Sequence, residues 1–396
     1  MATLSITDLD LAGKRVFMRV DFNVPIVNGR ITSDKRIQAS LPTIKYALEH
    51  GAVVILASHL GRPKGKVVPE FSLRPVAVRL AELLGRPVEF ATDCVGPAVQ
   101  EAVERAKAGG QVVLLENLRF HPEEEKNDPA FAAQLAAPAN AYVNDAFGSS
   151  HRAHASVAAI ASLLPPPAAG LLMEKEVHFL GLALGSPERP FVAILGGAKV
   201  SDKIEVIENL LGRVDSLLIG GAMAYTFLKS RGLPVGGSLV ENDKLEAARQ
   251  ITAHAGQRGM RLALPTDHVV ADKLEAGAPH ATLRVDDNAI GTRIGVDIGP
   301  ETVTAYSAVI ANARTVVWNG PMGVFEMPPF DAGTNAVARA VAEVRGMTIV
   351  GGGDSVSAVT KAGVAGRISH ISTGGGASLE FLGGRVLPGV AALAEK

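Results

Sequence analysis

Short β-branched and apolar runs alternate from end to end with longer helix-like segments, and this alternation constrains the fold more than any other feature of the chain. Strands joined by helical crossovers pair in parallel, and a parallel sheet needs helices on both faces, so the pattern predicts an α/β protein. Candidate strands are RVFMRVDF, AVVILAS, QVVLLEN and AYVNDAF in the first half, and FVAILGG, SLLIGG, RLALPTD, TVVWNG, MTIVGGG and SHISTGGG in the second. At 396 residues the chain exceeds what one hydrophobic core usually supports, so two domains are expected.

Between the halves, LLPPPAAG at 163–170 breaks regular structure, and LLMEKEVHFLGLAL then carries apolar residues at helical spacing until GSPERP ends it. A helix passing from one domain to another would have this form. The expected boundaries are 1–170 for the first domain, 171–186 for the linking helix and 187–386 for the second domain.

The bulk charge excludes whole classes of partner. Thirty-nine Lys and Arg against 40 Asp and Glu leave a net charge of −1, so there is no basic footprint for nucleic acid or an anionic membrane. Cys94 is the single cysteine, which excludes an internal disulfide framework, and its plain reading is a small buried apolar residue. The N-terminal MATLSITDLDLAGKR lacks the cationic start and apolar core of a signal peptide. No apolar run reaches the roughly 20 residues of a membrane helix. A cytoplasmic protein acting on small molecules is expected.

In open parallel sheets ligands bind beyond the carboxyl ends of the strands, so the residues just after each apolar run carry the chemistry. The second half ends its strands in backbone: GGAK at 196–199, GGAM at 220–223, NGPMG at 319–323, GGGD at 351–354 and TGGGAS at 373–378. Glycines leave amide N–H groups uncovered and helix N-termini add partial positive charge, so these ends suit polyphosphate, with Lys199 and Lys203 expected one helical turn apart. The first half ends its strands in side chains: VDFNVP, SHLGRP, ENLRF and NDAFGSSHRAH, to which SDKRI adds Arg36. Arg36, Arg62, Arg119 and Arg152 with His59 would form a pocket for a small, multiply charged anion. A nucleotide on one domain and a small anion on the other suggests phosphoryl transfer.

Familiar nucleotide motifs do not account for this chain. GGAKVSDK has its glycines and lysines in the wrong order for a phosphate loop of the GxxxxGK[ST] type, and GGGDSVSA lacks the third glycine of GxGxxG. HRD, DFG and GxSxG are missing, and the two histidines of SHRAH have no carboxylate or cysteine pattern to complete a zinc site.

Ten segments nevertheless occur in an order and spacing similar to those of the phosphoglycerate kinase family. They are RVDFNVP, ITSDKRI, SHLGRP, ENLRFHPEEEKND, NDAFGSSHRAHAS, FVAILGGAKVSDKI, LIGGAMAYTFL, VVWNGPMGVFE, IVGGGDSVSAV and ISTGGGASLEFL. The resemblance implies two Rossmann-like parallel-sheet domains of similar size, joined by a linking helix and a hinge, with the tail from Leu387 packed on the first. It also implies reversible transfer of the acyl phosphate of 1,3-bisphosphoglycerate to ADP, giving 3-phosphoglycerate and ATP in glycolysis and gluconeogenesis, with Mg2+; a monomer is expected, though the sequence does not itself set the oligomeric state. By position it assigns Asp21, Asn23, Arg36, His59, Arg62, Arg119 and Arg152 to phosphoglycerate, and Gly197, Lys199, Lys203, Gly295, Asn319, Glu326, Gly352, Gly353, Asp354 and Ser355 to nucleotide. Ala222, where some members have a third glycine, is a minor departure.

The chemistry is consistent with these residue types. In the ATP-consuming direction the nucleophile is a carboxylate, already ionised at neutral pH, so no general base is required. What is required is alignment of two polyanions and stabilisation of charge in transfer. Arg36 and Lys199 are expected to supply it, assisted by the amides around Gly353 and Gly375. Asp354 is expected at a helix N-cap and as a magnesium ligand. His59 could donate as imidazole or as imidazolium. A nicotinamide dehydrogenase and a catalytically silent hinged binding protein are the alternatives; the absent GxGxxG opposes the first, and the pair Arg36 and Lys199 opposes the second.

Overall fold

The structure, a computed structural model, describes residues 3–396. The described chain divides into two compact units: one runs to His178 and takes in Val386–Lys396, and the other is Phe179–Arg385. No helix of the described residues is long and apolar enough to cross a membrane.

The first unit is built on β1 (Arg15–Arg19), a small hairpin of β2 (Ile26–Val27) and β3 (Arg30–Ile31), then β4 (Val53–Ala57), β5 (Glu89–Phe90), β6 (Val112–Leu114), β7 (Ala141–Asn144) and β8 (Ala168–Ala169). The hairpin aside, these form one parallel sheet in the order β5-β6-β4-β1-β7-β8. Period-two alternation assigns the strand residues to two cores. Val16, Met18, Val54, Leu56, Val112, Leu114 and Val143 pack on one face, and Phe17, Val53, Ile55, Ala57, Val113 and Tyr142 on the other. Both faces being covered, the strands read as unbroken apolar runs, and all of VVILA in β4 is buried.

The second unit repeats the plan with β9 (Phe191–Leu195), β10 (Ser216–Ile219), β11 (Arg261–Ala263), β15 (Thr315–Asn319), β16 (Met347–Gly351) and β17 (His370–Ile371), parallel in the order β11-β10-β9-β15-β16-β17. Val192, Ile194, Leu218, Val316, Trp318 and Val350 share one core. Inserted after β11 is an antiparallel sheet of β12 (Asp267–Ala271), β13 (His280–Arg284) and β14 (Ile294–Ile298), ordered β13-β12-β14.

Three features differ from expectation. RLALPTD does not form one strand: β11 stops at Ala263 and β12 opens at Asp267, with Pro265 between them, a residue that cannot donate to a ladder. The antiparallel sheet has no counterpart among the candidate strands, because HATLR is polar and half exposed rather than an apolar run. Within 163–170, Ala168–Ala169 is a strand, held beside β7.

The helix Leu171–Gly185 follows β8. At the other end of the chain, Leu4 N–H donates to Ala394 O at 2.8 Å, Ala394 N–H to Pro167 O at 2.9 Å and Gly389 N–H to Ser150 O at 2.8 Å. The C-terminal segment is thus tied to the first unit by backbone hydrogen bonds.

Candidate active site

In the first unit the segments following β1, β4 and β6 converge. Arg36, in the helix Lys35–Glu49, donates to Asp21 Oδ2 at 2.7 Å. Asn23 N–H donates to Asp21 Oδ1 at 3.2 Å, and Asn23 Oδ1 accepts from Gly61 N–H at 2.9 Å, which ties the loop after β1 to the loop that presents Arg62. Burial pushes the Asp21 carboxyl up, but the charges of Arg36 and Arg19 and the hydrogen bond from Asn23 N–H hold the group below the usual carboxylate range. Arg119 is buried and donates to Gly61 O at 3.0 Å; burial lowers its pKa, only partly opposed by Glu125, whose Oε1 lies 3.3 Å from Nε. Arg62 is exposed, and Arg152 donates to His151 Nε2 at 3.2 Å.

His59 is 6% exposed. Burial drives its pKa well below 6.5, and the charges of Arg19, Arg119 and Arg36 add to that against the pull of Asp21. Arg19 lies 3.1 Å from Nδ1 through Nη2, and because a guanidinium only donates, Nδ1 is the acceptor and Nε2 carries the proton. The ring is therefore neutral.

Arg19 is a residue that the sequence reading misses. It is fully buried at the end of β1, donates to Ser156 Oγ at 2.8 Å, and belongs to a network in which Glu124, also fully buried, accepts from Ser156 Oγ at 2.6 Å and from Ser156 N–H at 2.9 Å. The available signal is a cation inside RVFMRV, where a strand covered on both faces has no solvent to take it.

In the second unit the site is built largely of backbone. Gly197, after β9, has φ 102°, and its N–H donates to Pro321 O at 3.0 Å. Gly352, after β16, has φ 89° and is the N-cap of the helix Gly353–Lys361. Asp354 is therefore not the cap: it lies in the first turn, exposed, and its oxygens accept no hydrogen bond among the described residues. Ser355 is buried, and its hydroxyl accepts from Gly320 N–H at 2.6 Å, bracing the loop after β15. Gly375, with φ 52°, is the N-cap of Gly376–Leu382.

Lys199 and Lys203 do not share a helical turn: the segment between them is irregular and the helix begins at Ile204, with Lys203 at its N-cap. Lys199 is exposed. Lys203 is buried and donates to Asn319 Oδ1 at the end of β15. Burial lowers its pKa to about 8 despite Asp202 and Asp354 nearby. The Nδ2 group of Asn319 is buried and has no partner among the described residues.

Beside these groups lies a cavity of about 210 Å³ lined by Gly197, Gly295, Glu326 and Asp354 together with Tyr225 and His268. A Cβ on Gly295 would stand 1.6 Å from Tyr225 Oη, so only glycine fits this wall. Tyr225 Oη lies 3.0 Å from His268 Nδ1, and burial holds the histidine neutral with a pKa of about 4. Neither Tyr225 nor His268 is among the expected site residues, although Tyr225 lies in LIGGAMAYTFL, one of the ten segments of the resemblance.

Solved structures similar over nearly the whole chain are a phosphoglycerate kinase from Coxiella burnetii (42% identical, TM-score 0.89) and one from Pyrococcus horikoshii OT3 (35% identical, TM-score 0.86), each match covering 98% of both chains. A relative named phosphoglycerate kinase from Solibacter usitatus is 65% identical, over 99% of this chain and 100% of its own length. Another, from Moorella thermoacetica, is 62% identical over 100% of both. Fold and comparisons together define a phosphotransferase with a carboxyl group as acceptor. The family model described as phosphoglycerate kinase matches residues 6–385, and the chain belongs to that family.

Proposed function

We propose that the chain transfers the acyl phosphate of 1,3-bisphosphoglycerate to ADP, giving 3-phosphoglycerate and ATP, reversibly and by direct in-line displacement after domain closure. The observation that carries this reading is the division of labour between the two sheets. Arg62, Arg119 and the neutral His59 follow strand ends of the first unit, with Arg36 held by Asp21, and glycine amides follow those of the second, with Lys199 and the N-cap Lys203.

Arg36, Arg62, Arg119 and Arg152 take the carboxylate and phosphate of phosphoglycerate, while Asp21, Asn23 and the Nε2–H of His59 serve its remaining polar groups. Gly197, Gly295 and Glu326 border the nucleoside, and Lys203, Asn319, Gly352 and Ser355 hold the phosphates or the backbone that meets them. Arg36 and Lys199 stabilise the charge that spreads over the phosphoryl group in transfer, with the Gly353 and Gly375 amides assisting. No side chain needs to remove a proton, since the acceptor carboxylate is already ionised.

Asp354 fits a magnesium ion, because its carboxylate is exposed beside the cavity and its oxygens accept no hydrogen bond among the described residues. Magnesium supplies neutralisation of phosphate charge while keeping most of its waters.

The test is ATP-dependent phosphorylation of 3-phosphoglycerate, read through coupled NADH oxidation with and without magnesium, for the natural chain and Arg36→Ala. Magnesium-dependent turnover that collapses in the variant supports the reading; a folded chain that binds ATP without turnover refutes it.

A further inference from the structure

Outside the residues already described, the first unit brings three different metal-binding side chains together. Asp93 and Cys94 lie in the loop after β5, and His121 follows the turn Leu118–Phe120. One carboxylate oxygen, the thiol sulfur and one imidazole nitrogen all lie within 4.8 Å of one another. His121 Nε2 is 2.7 Å from Asp93 Oδ1, and the ring stacks on Phe131 at 5.1 Å, which sets its direction. The loops are joined by Glu116 N–H donating to Asp93 O at 3.4 Å.

We infer that Asp93, Cys94 and His121 form a binding site for a borderline-soft divalent cation of the zinc type. A sulfur, nitrogen and oxygen set suits zinc, and excludes magnesium and calcium, which take oxygen ligands. Metal–ligand bonds of about 2.0–2.3 Å in a tetrahedron place the donors roughly 3.3–3.6 Å apart. The 2.7 Å pair would open by less than an ångström, and wider pairs would close from at most 4.8 Å.

The surroundings favour a cation. Burial opposes ionisation of the Cys94 thiol, which is 1% exposed, while the negative charges of Asp93 and Glu124 beside it attract a cation. Metal binding would replace the thiol proton, which leaves to solvent, and would neutralise that charge. Asp93 and His121 are part exposed, so the fourth position is open to water. Occupancy would tie the loop after β5 to the turn that carries Arg119.

The experiment is titration of the chelator-treated full chain with Co2+, without nucleotide and in excess Mg2+ to occupy all-oxygen sites, followed by the thiolate-to-cobalt charge-transfer absorption and by displacement with Zn2+. The band should saturate at one Co2+ per chain and vanish in Cys94→Ser. In His121→Gln, whose side chain is part exposed and whose folding is checked by circular dichroism, affinity should fall at least ~10-fold. No band in the folded natural chain, a band that survives Cys94→Ser, or unchanged affinity in His121→Gln would each overturn the site.

Discussion

Arg19 Nη2 donates to His59 Nδ1 at 3.1 Å, which leaves His59 only its Nε2–H to offer a ligand. We expect 15N chemical shifts to show a bare Nδ1 and a protonated Nε2, with no titration near 6.5. The unfolded ring titrates near 6.5 and the folded ring well below it, so between those values the unfolded chain binds the additional proton. Stability therefore falls as pH drops through that window, and the effect is absent above it. Urea unfolding of His59→Gln should show a shallower loss below pH ~6.5. A His59 titration at its ordinary value would defeat the assignment.

Removing Arg19 should be felt through two partners at once. Arg19→Met leaves the fully buried Glu124 without its nearby cation and frees the His59 tautomer. A loss of about 3 kcal/mol in unfolding free energy is expected, as for a buried charge stripped of its partner. KM for 3-phosphoglycerate should rise as well, and an unchanged KM would separate Arg19 from the site.

Gly295→Ala places a methyl group where Tyr225 Oη stands, 1.6 Å away. Overpacking of this kind costs about 1–3 kcal/mol. Calorimetry should find ADP binding weakened and 3-phosphoglycerate binding unaltered, because the clash lies on the cavity proposed for the nucleotide. Equal weakening of both ligands would point to general unfolding instead.

Lys203 titrates near pH 8 in the ligand-free chain, so phosphate binding should decline as pH rises through that value. Asn319→Asp puts a carboxylate against the ammonium in place of the amide oxygen. The decline should then move to higher pH, while ADP affinity at neutral pH drops about 10–100-fold because the new carboxylate competes with the phosphate for the Lys203 ammonium. Binding that ignores both pH and the substitution would remove Lys203 from the phosphate site.

Lys199 is exposed and Arg36 is held by Asp21, so their removal should act differently on binding and on rate. Lys199→Ala should cut kcat by about 10³-fold, the lower range for a cation acting on a transferring phosphoryl group, with KM values within tenfold. A mutant impaired only in KM would make Lys199 a binding residue. Arg36→Lys keeps the charge but not the planar fork that meets Asp21, and should recover only part of the rate.

Much of this molecule was legible in one dimension. Apolar runs covered on both faces, such as VVILA and FVAIL, announce a parallel α/β sheet, and strand direction places the glycines or arginines immediately after such runs at one edge of it. Family membership was legible for the same reason: ordered motifs are local strings. Elements without an apolar run, such as HATLR and the two-residue strand Ala168–Ala169, were not, since only neighbouring strands give them their pairing. The position of Asp354 in the first turn rather than at the cap depended on Gly352 taking φ 89°, a choice left open by GGGD.

What the sequence by itself determined is the chemical inventory and the edge of the sheet on which each part of it falls, because both depend on spacing along one strand or loop. The tertiary structure alone decided the pairings: Arg19 with His59, Tyr225 against Gly295, Lys203 with Asn319, and His121 with Asp93. In that order the pairs join residues 40, 70, 116 and 28 positions apart. Separations of that size are closed by crossover connections and strand register, so the tautomer, the lysine's pKa and the shape of the cavity follow from packing that no local string contains.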